Sequence, residues 1–205
     1  MVRLYYTDSF SHEDQRLPRL SFPPKQIPLN RLLKRTGVSY YKVDIVNLDD
    51  YRKRIDHIRS ERKYSHVDDC AYQAGVTKEY EEKLAKMFEP HMHDEDEARI
   101  VMEGNAYYDV QEPKTSKWIR MYLEPGDMVI IPPGCIHRFT PDMKNFVKLR
   151  RFFLKQESNQ PTIAEQEAEA HPARIDYLKR LTGRGSSSET DACAKEESEE
   201  LTLVQ

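Results

Sequence analysis

The chain has 205 residues, 38% of them hydrophobic, with 32 basic and 35 acidic side chains and a formal net charge of −3. That length suits one domain with a sizeable core, and the near-balanced charge gives no reason to expect a nucleic-acid partner. No run approaches the roughly 20 apolar residues of a membrane span, and Cys70, Cys135 and Cys193 are too few and too scattered for a disulfide framework or a CxxC zinc site.

The opening residues, MVRLYYTDSF, lack the long apolar segment of a secretory leader. The expectation is a soluble cytoplasmic protein, with nuclear entry left open for so small a chain. VRLYY (2–6) reads as an edge strand, and SHEDQRLPRLSFPPKQIP, with four prolines, as an extended loop. LNRLLKRTG reads as a short helix stopped by Gly37, and VSYYKVDI as a strand. In LDDYRKRIDHIRSERKY, Tyr51, Ile55 and Ile58 fall on one helical face, with Asp49 or Asp50 as cap. The basic run 51–63 is read as the wet side of that helix. TKEYEEKLAKMF (77–88) is a further predicted helix, with Thr77 as N-cap.

From about residue 90 the pattern changes. ARIVMEG, NAYYDVQ, KWIRMYLEPG, DMVIIPPG, HRFT and FVKLRRFFL are short aromatic or β-branched runs divided by Gly, Pro or acidic turns. This spacing predicts an antiparallel sandwich or barrel. PTIAEQEAEAHPARIDYLKRL reads as partly helical. The segment 183–205, with six acids against two bases, reads as a disordered acidic tail. The expected organisation is therefore one domain over 1–180, with a helical N-terminal part (1–88) and a barrel at about 89–156.

The chemistry gathers in PHMHDEDEARIVMEG (90–104). His91 and His93 are two apart and share a strand face. Glu97 has the same parity, but six residues of straight strand cover about 20 Å. The chain must double back through Asp94, Glu95 and Asp96 for the three to converge on one ion. His137, at the end of GDMVIIPPGCIH, is the fourth candidate. The remaining histidines, His12, His57, His66 and His171, carry no such pattern. Three imidazoles and a carboxylate suit Fe, Ni, Cu or Zn, and the absence of a thiolate weighs against structural zinc. Cys135 is read as a small packed residue. Four protein donors in an octahedral shell leave two positions open for a bidentate substrate.

The paired motif HxHxxxE(x6)G and G(x5)PxGxxH resembles that of the cupin superfamily. It implies a mainly β fold, an antiparallel double-stranded β-helix or jelly-roll barrel, here with N-terminal helices and a C-terminal helix. Ala85 and Pro141 stand where many cupins carry glycine and asparagine. KMFEPHMHDEDEARIVMEGNAYYDV, KWIRMYLEPGDMVIIPPGCIHRFT and IRSERKYSHVDD further resemble the acireductone dioxygenases of methionine salvage, over about Val2 to Phe153, with a weaker echo in HPARIDYLKRL.

That resemblance implies His91, His93, Glu97 and His137 as ligands of one Fe(II) per monomer, or of Ni(II) in the same pocket. It implies an enediol ketone with a methylthio tail as substrate, bound as an anion and cleaved with O2. The products would be formate and 2-oxo-4-methylthiobutanoate with iron, or formate, carbon monoxide and 3-methylthiopropanoate with nickel. It also points to Arg99, on the ligand face, and to Arg150, as a second anion clamp or a salt bridge. Trp118 and Phe139 are candidates for the pocket wall. Partners would be the small substrate and O2, with no nucleic acid and no membrane, in a monomer or weak homodimer. Ile100 replaces the usual tyrosine, and FLKQESNQPTI replaces a Gly-Glu-Pro-Val-Trp segment over the barrel mouth. Two other classes stay open: a cupin isomerase using its metal as a Lewis acid, and a non-enzymatic cupin binding module.

Overall fold

The computed structural model describes residues 2–7, 13–155 and 162–183. In chain order the elements are β1 (Arg3–Tyr6), α1 (Leu29–Thr36), β2 (Ser39–Lys42), α2 (Leu48–Arg62), β3 (His66–Gln73) and α3 (Tyr80–Phe88). There follow β4 (His91–Met92), β5 (Glu97–Gly104), β6 (Ala106–Gln111), β7 (Trp118–Leu123), β8 (Asp127–Ile131), β9 (His137–Pro141) and β10 (Phe146–Phe153). A short β11 (Ile163–Ala164), α4 (Glu165–Ala168) and α5 (Pro172–Gly183) close the described chain.

All strand pairs are antiparallel, and they form two sheets. One runs β1-β7-β6-β9-β4-β11, the other β2-β8-β5-β10-β3. Between them lies the main core. Val101, Val129, Ile131 and Leu149 meet Val110, Ile119, Met121 and Phe139. A second apolar cluster covers the outer face of the five-stranded sheet, where Ala98, Ile100, Met128 and Phe152 pack against Ile55 and Ile58 of α2. This explains why β5 shows no apolar–polar alternation across Ile100, Val101 and Met102: both of its faces are covered.

The six predicted strands after residue 96 are all present. In the N-terminal part the two predicted strands, β1 and β2, are present, and an unpredicted one, β3, joins them in extending the barrel's sheets. β3 carries no β-branched run to announce it. Its acids Asp68 and Asp69 are matched across the ladder by Arg151 and Arg150, a cross-strand pairing invisible along the chain.

Two caps also differ. Asn47, not Asp49 or Asp50, caps α2, its side chain accepting from the backbone N–H of both aspartates. Thr77 lies before α3, which begins at Tyr80; its hydroxyl instead accepts from the Gln73 N–H. The predicted acidic tail lies beyond the described residues, as does most of the 154–163 segment.

Two glycines set close approaches that position the site. Gly104 has φ +74°, and a Cβ there would meet the Phe146 carbonyl at 2.3 Å. Gly134 has φ +79°, and a Cβ would meet the Ala173 carbonyl at 2.4 Å. Only glycine lets α5 pack this tightly on the turn before His137.

Candidate metal centre

His91 lies directly opposite His137 across the β4–β9 ladder. Glu97 comes from the facing sheet, at the start of β5, where it pairs with Ile131 of β8. The chain therefore doubles back between His93 and Glu97, as the spacing required, and in doing so crosses from one sheet to the other. One potential ligand atom from each of His91, His93, Glu97 and His137 falls within 4.8 Å of the others. The His91 and His137 rings are 4.5 Å apart, and each lies 5.3 Å from His93.

Backbone carbonyls set the tautomers. His91 Nδ1 lies 2.7 Å from the Glu89 carbonyl and His137 Nδ1 2.9 Å from the Cys135 carbonyl. A carbonyl can only accept, so both Nδ1 atoms carry the proton and leave the Nε2 lone pairs for the centre. His93 Nε2 is 2.8 Å from Glu97 Oε2, and His137 Nε2 is 3.4 Å from the same oxygen. Even so, His137 Nε2 is buried without a hydrogen-bond partner. An orphaned buried nitrogen costs about 1–3 kcal/mol, and a cation at the meeting point of these four groups satisfies it. The donor set is all nitrogen and oxygen, and it fits a borderline first-row metal.

Charge at the site is arranged to match. Burial, and next the neighbouring His137, push His91 down to about 4, so its imidazole is neutral near pH 7. Burial alone would raise Glu97, but Arg99, His137 and His93 outweigh it and hold the carboxyl well below its usual range. Arg99 is buried, with Nη2 at 3.6 Å from Glu97 Oε2 and Nη1 donating to the Ala98 carbonyl.

The structure does not bring Arg150 into this site. Arg150 stands opposite Ile100 and shares its outward face. There it forms a two-pronged pair with Asp69 at 2.7 and 2.9 Å and donates to the Tyr51 hydroxyl. Of its two sequence readings, the salt bridge describes it and the anion clamp does not. Its neighbour Arg151 faces inward, opposite Arg99. Arg151 and Arg99 flank the Phe153 ring at 5.2 and 5.1 Å, and Asp68 holds Arg151 through 2.5 and 2.7 Å contacts. The signal was present in the alternation Val147, Leu149, Arg151, Phe153, whose first two members are core.

Tyr108 was also missed. Its hydroxyl donates to Glu97 Oε1 at 2.5 Å, and its ring packs 4.8 Å from Phe139. Phe139 thus lines the inner side, whereas Trp118 lies in a separate cluster with Met92, Ile136 and Ala168. Cys135 is fully buried in the turn, as read. Two of the turn acids have partners: Asp96 accepts from Tyr64 and Glu95 pairs with Lys155.

A sequence model of the ARD/ARD' family matches residues 3–161. The chain is 36% identical to acireductone dioxygenase 1 of Coprinopsis cinerea over 181 residues, covering 88% of this chain and 98% of the relative. It is 38% identical to a Caenorhabditis elegans protein named probable inactive acireductone dioxygenase 1, covering 78% and 99%. Among solved structures, an acireductone dioxygenase from Bacillus anthracis with a cadmium ion in its active center superposes with a TM-score of 0.63 at 20% identity, over 80% of this chain and 98% of that one, a likeness of fold. Family match, relatives and architecture agree, and the chain belongs to the ARD/ARD' family.

Proposed function

We propose that this chain is an acireductone dioxygenase whose metal is held by His91, His93, Glu97 and His137. The observation that carries this reading is the buried His137 Nε2, left without a hydrogen-bond partner beside three other converging donors. When bound, Fe(II) or Ni(II) supplies the Lewis acidity and redox access that let a singlet enediolate react with O2. The protein's part is to bind, orient and keep water out. Glu89 and Cys135 carbonyls hold two imidazoles in the donor tautomer. Tyr108 fixes one carboxylate oxygen. Arg99 is the cation for the substrate's negative charge, and Arg151 is the second guanidinium on that inward face.

The reaction is cleavage of 1,2-dihydroxy-5-(methylthio)pent-1-en-3-one by O2 in methionine salvage. Both oxygen atoms enter the products. With iron these are formate and 2-oxo-4-methylthiobutanoate; with nickel they are formate, carbon monoxide and 3-methylthiopropanoate. The enzyme acts in the cytoplasm with access to the nucleus, as a monomer or weak homodimer. No helix among the described residues is long and apolar enough to cross a membrane.

The name of the Caenorhabditis relative raises the alternative of a non-enzymatic cupin, and an isomerase is the other class. Oxygen uptake with synthetic acireductone, after loading with Fe(II) or Ni(II), separates them. Uptake with either metal supports the dioxygenase; metal binding without uptake under both assigns the chain to one of the other classes.

A further inference from the structure

A second charged centre lies on the far face of the six-stranded sheet. Asp109, Arg120 and Arg138 stand side by side on β6, β7 and β9. Arg138 directly follows His137, so it points away from the metal donors. Asp109 accepts from both arginines, through Arg120 Nε and Nη2 at 2.6 and 2.8 Å and Arg138 Nε at 2.7 Å. Arg19 reaches the same place from the 13–19 loop. The three guanidinium carbons lie 4.2 Å (Arg138), 5.1 Å (Arg19) and 5.7 Å (Arg120) from the centre of the Phe88 ring.

Among the described residues, three buried cations therefore face one buried carboxylate; all four residues are at most 9% exposed. Arg19 donates to the carbonyls of Glu13 and Asp14, and Arg120 to those of Gln15 and Leu17. Carbonyls satisfy N–H groups but carry no net charge. Burial, then the adjacent Arg120 and Arg138, lower the pKa of Arg19, and burial lowers that of Arg138 against the pull of Asp109. Glu165 also acts on Arg138, and it accepts from Gln111 as well. Uncompensated buried charge is costly, by several kcal/mol per ion.

Arg138 is moreover incompletely bonded. Phe88 and Trp118 cover its guanidinium at 4.2 and 4.3 Å, but Nη2 is buried with no hydrogen-bond partner. Beside it opens a cavity of about 430 Å³, lined by Arg138, Arg19 and Arg16 and, on the α3 side, by the apolar Leu84, Ala85 and Phe88. The acids at its rim offset the interior charge only in part, Glu13 acting on Arg19 from the exposed side. Asp14 is taken by Arg16 at 2.6 Å, Glu81 has a side chain 70% exposed, and Glu13 is exposed. A cavity of this size suits a small molecule.

We propose that this cavity is a binding site for a small oxyanion, a phosphate or a carboxylate, received by Arg138 and Arg19 with Arg16 at the entrance. A guanidinium edge offers paired N–H donors to such an ion, and the Leu84–Phe88 wall accommodates an apolar tail on it. The site is separate from the metal centre, on the other side of β9, and does not depend on the reaction proposed above.

The test uses the full chain in a buffer that does not bind, at constant ionic strength kept by sodium chloride. Inorganic phosphate and succinate are titrated in separate arms while thermal unfolding is followed, with phosphorus NMR line width as a direct readout in the phosphate arm. The expected result is a rise in Tm that grows with the logarithm of ion concentration, roughly 3–5 °C for each tenfold excess over the dissociation constant, with an NMR response that saturates. It should weaken about tenfold or more in apparent affinity in Arg138→Gln and also in Arg19→Gln, a second variant in case the first folds poorly. A response to phosphate alone, or to succinate alone, identifies the class of ion. No response to either, or responses unchanged in both variants, overturns the proposal.

Discussion

The Tyr108 hydroxyl donates to Glu97 Oε1 at 2.5 Å, while Oε2 of the same carboxylate lies 2.8 Å from His93 Nε2. The phenol thus occupies one oxygen and leaves the other facing the imidazoles. Burial, and next the Glu97 charge, raise Tyr108 well above its usual pKa, so it remains a donor. Outer-shell partners of this kind typically carry 10–100-fold in metal affinity. Tyr108→Phe should therefore bind Fe(II) or Ni(II) about 10–100-fold more weakly in competition with a chromophoric chelator. Equal affinity in the variant and the parent chain removes the positioning role.

Arg99 and Arg150 make opposite predictions although both were read as candidates. Arg99 is buried beside Glu97, so Arg99→Met should keep its metal and lose about 10²–10³ in kcat/KM. Arg150 sits on the outer face with Asp69, their side chains 31% and 40% exposed. Arg150→Gln should leave kcat/KM within about twofold and cost at most about 1 kcal/mol of stability. Steady-state kinetics with metal analysis on both variants decides the matter; a large kinetic loss at Arg150 with little at Arg99 reverses the assignment.

The imidazoles make the apoprotein sensitive to mild acid. His91 is held at about 4 against an ordinary 6.5. A depressed pKa favours the folded state above the unfolded value and loses that contribution as pH falls from 6.5 towards 4. The loss is on the order of 2–3 kcal/mol. Urea unfolding of the metal-free chain at pH 7, 5.5 and 4 should show it. Metal affinity should fall over the same window, because protons compete for the same nitrogens. Stability flat across the window contradicts the assignment of His91 as a buried neutral base.

The turn before His137 is held from outside by α5. Arg174 Nη1 donates to the Gly134 carbonyl at 2.9 Å, and the Gly134 N–H donates to the His93 carbonyl. With φ +79° and the Ala173 carbonyl so close, Gly134→Ala should cost about 2 kcal/mol or more. It should also weaken metal binding, since the turn carries His137. Thermal unfolding and chelator competition together test this, and a variant unchanged in both shows that α5 does not hold the site.

Much of this was legible in the sequence because the signals are local. Gly126, Pro132 and Gly134 mark where strands end, and HxHxxxE together with the second histidine motif names the four side chains that converge. What was hidden depends on contacts between distant segments. β3 is a strand because Asp68 and Asp69 meet Arg151 and Arg150 across the ladder, not because its residues favour one. Tyr108 matters through a partner eleven residues back on a facing sheet. Arg150 and Arg151 are adjacent arginines, and only the strand's parity tells which one enters the barrel. Similarly, the excess of buried guanidinium around Phe88 is assembled from β7, β9 and a loop.

The central claim is that four side chains hold one cation between the two sheets. Anomalous scattering at the iron or nickel edge, from crystals of the metal-loaded chain, tests it most directly. The account predicts a single strong peak about 2.1 Å from His91 Nε2, His93 Nε2, Glu97 Oε2 and His137 Nε2. A peak elsewhere, or one from which His137 is absent, contradicts it.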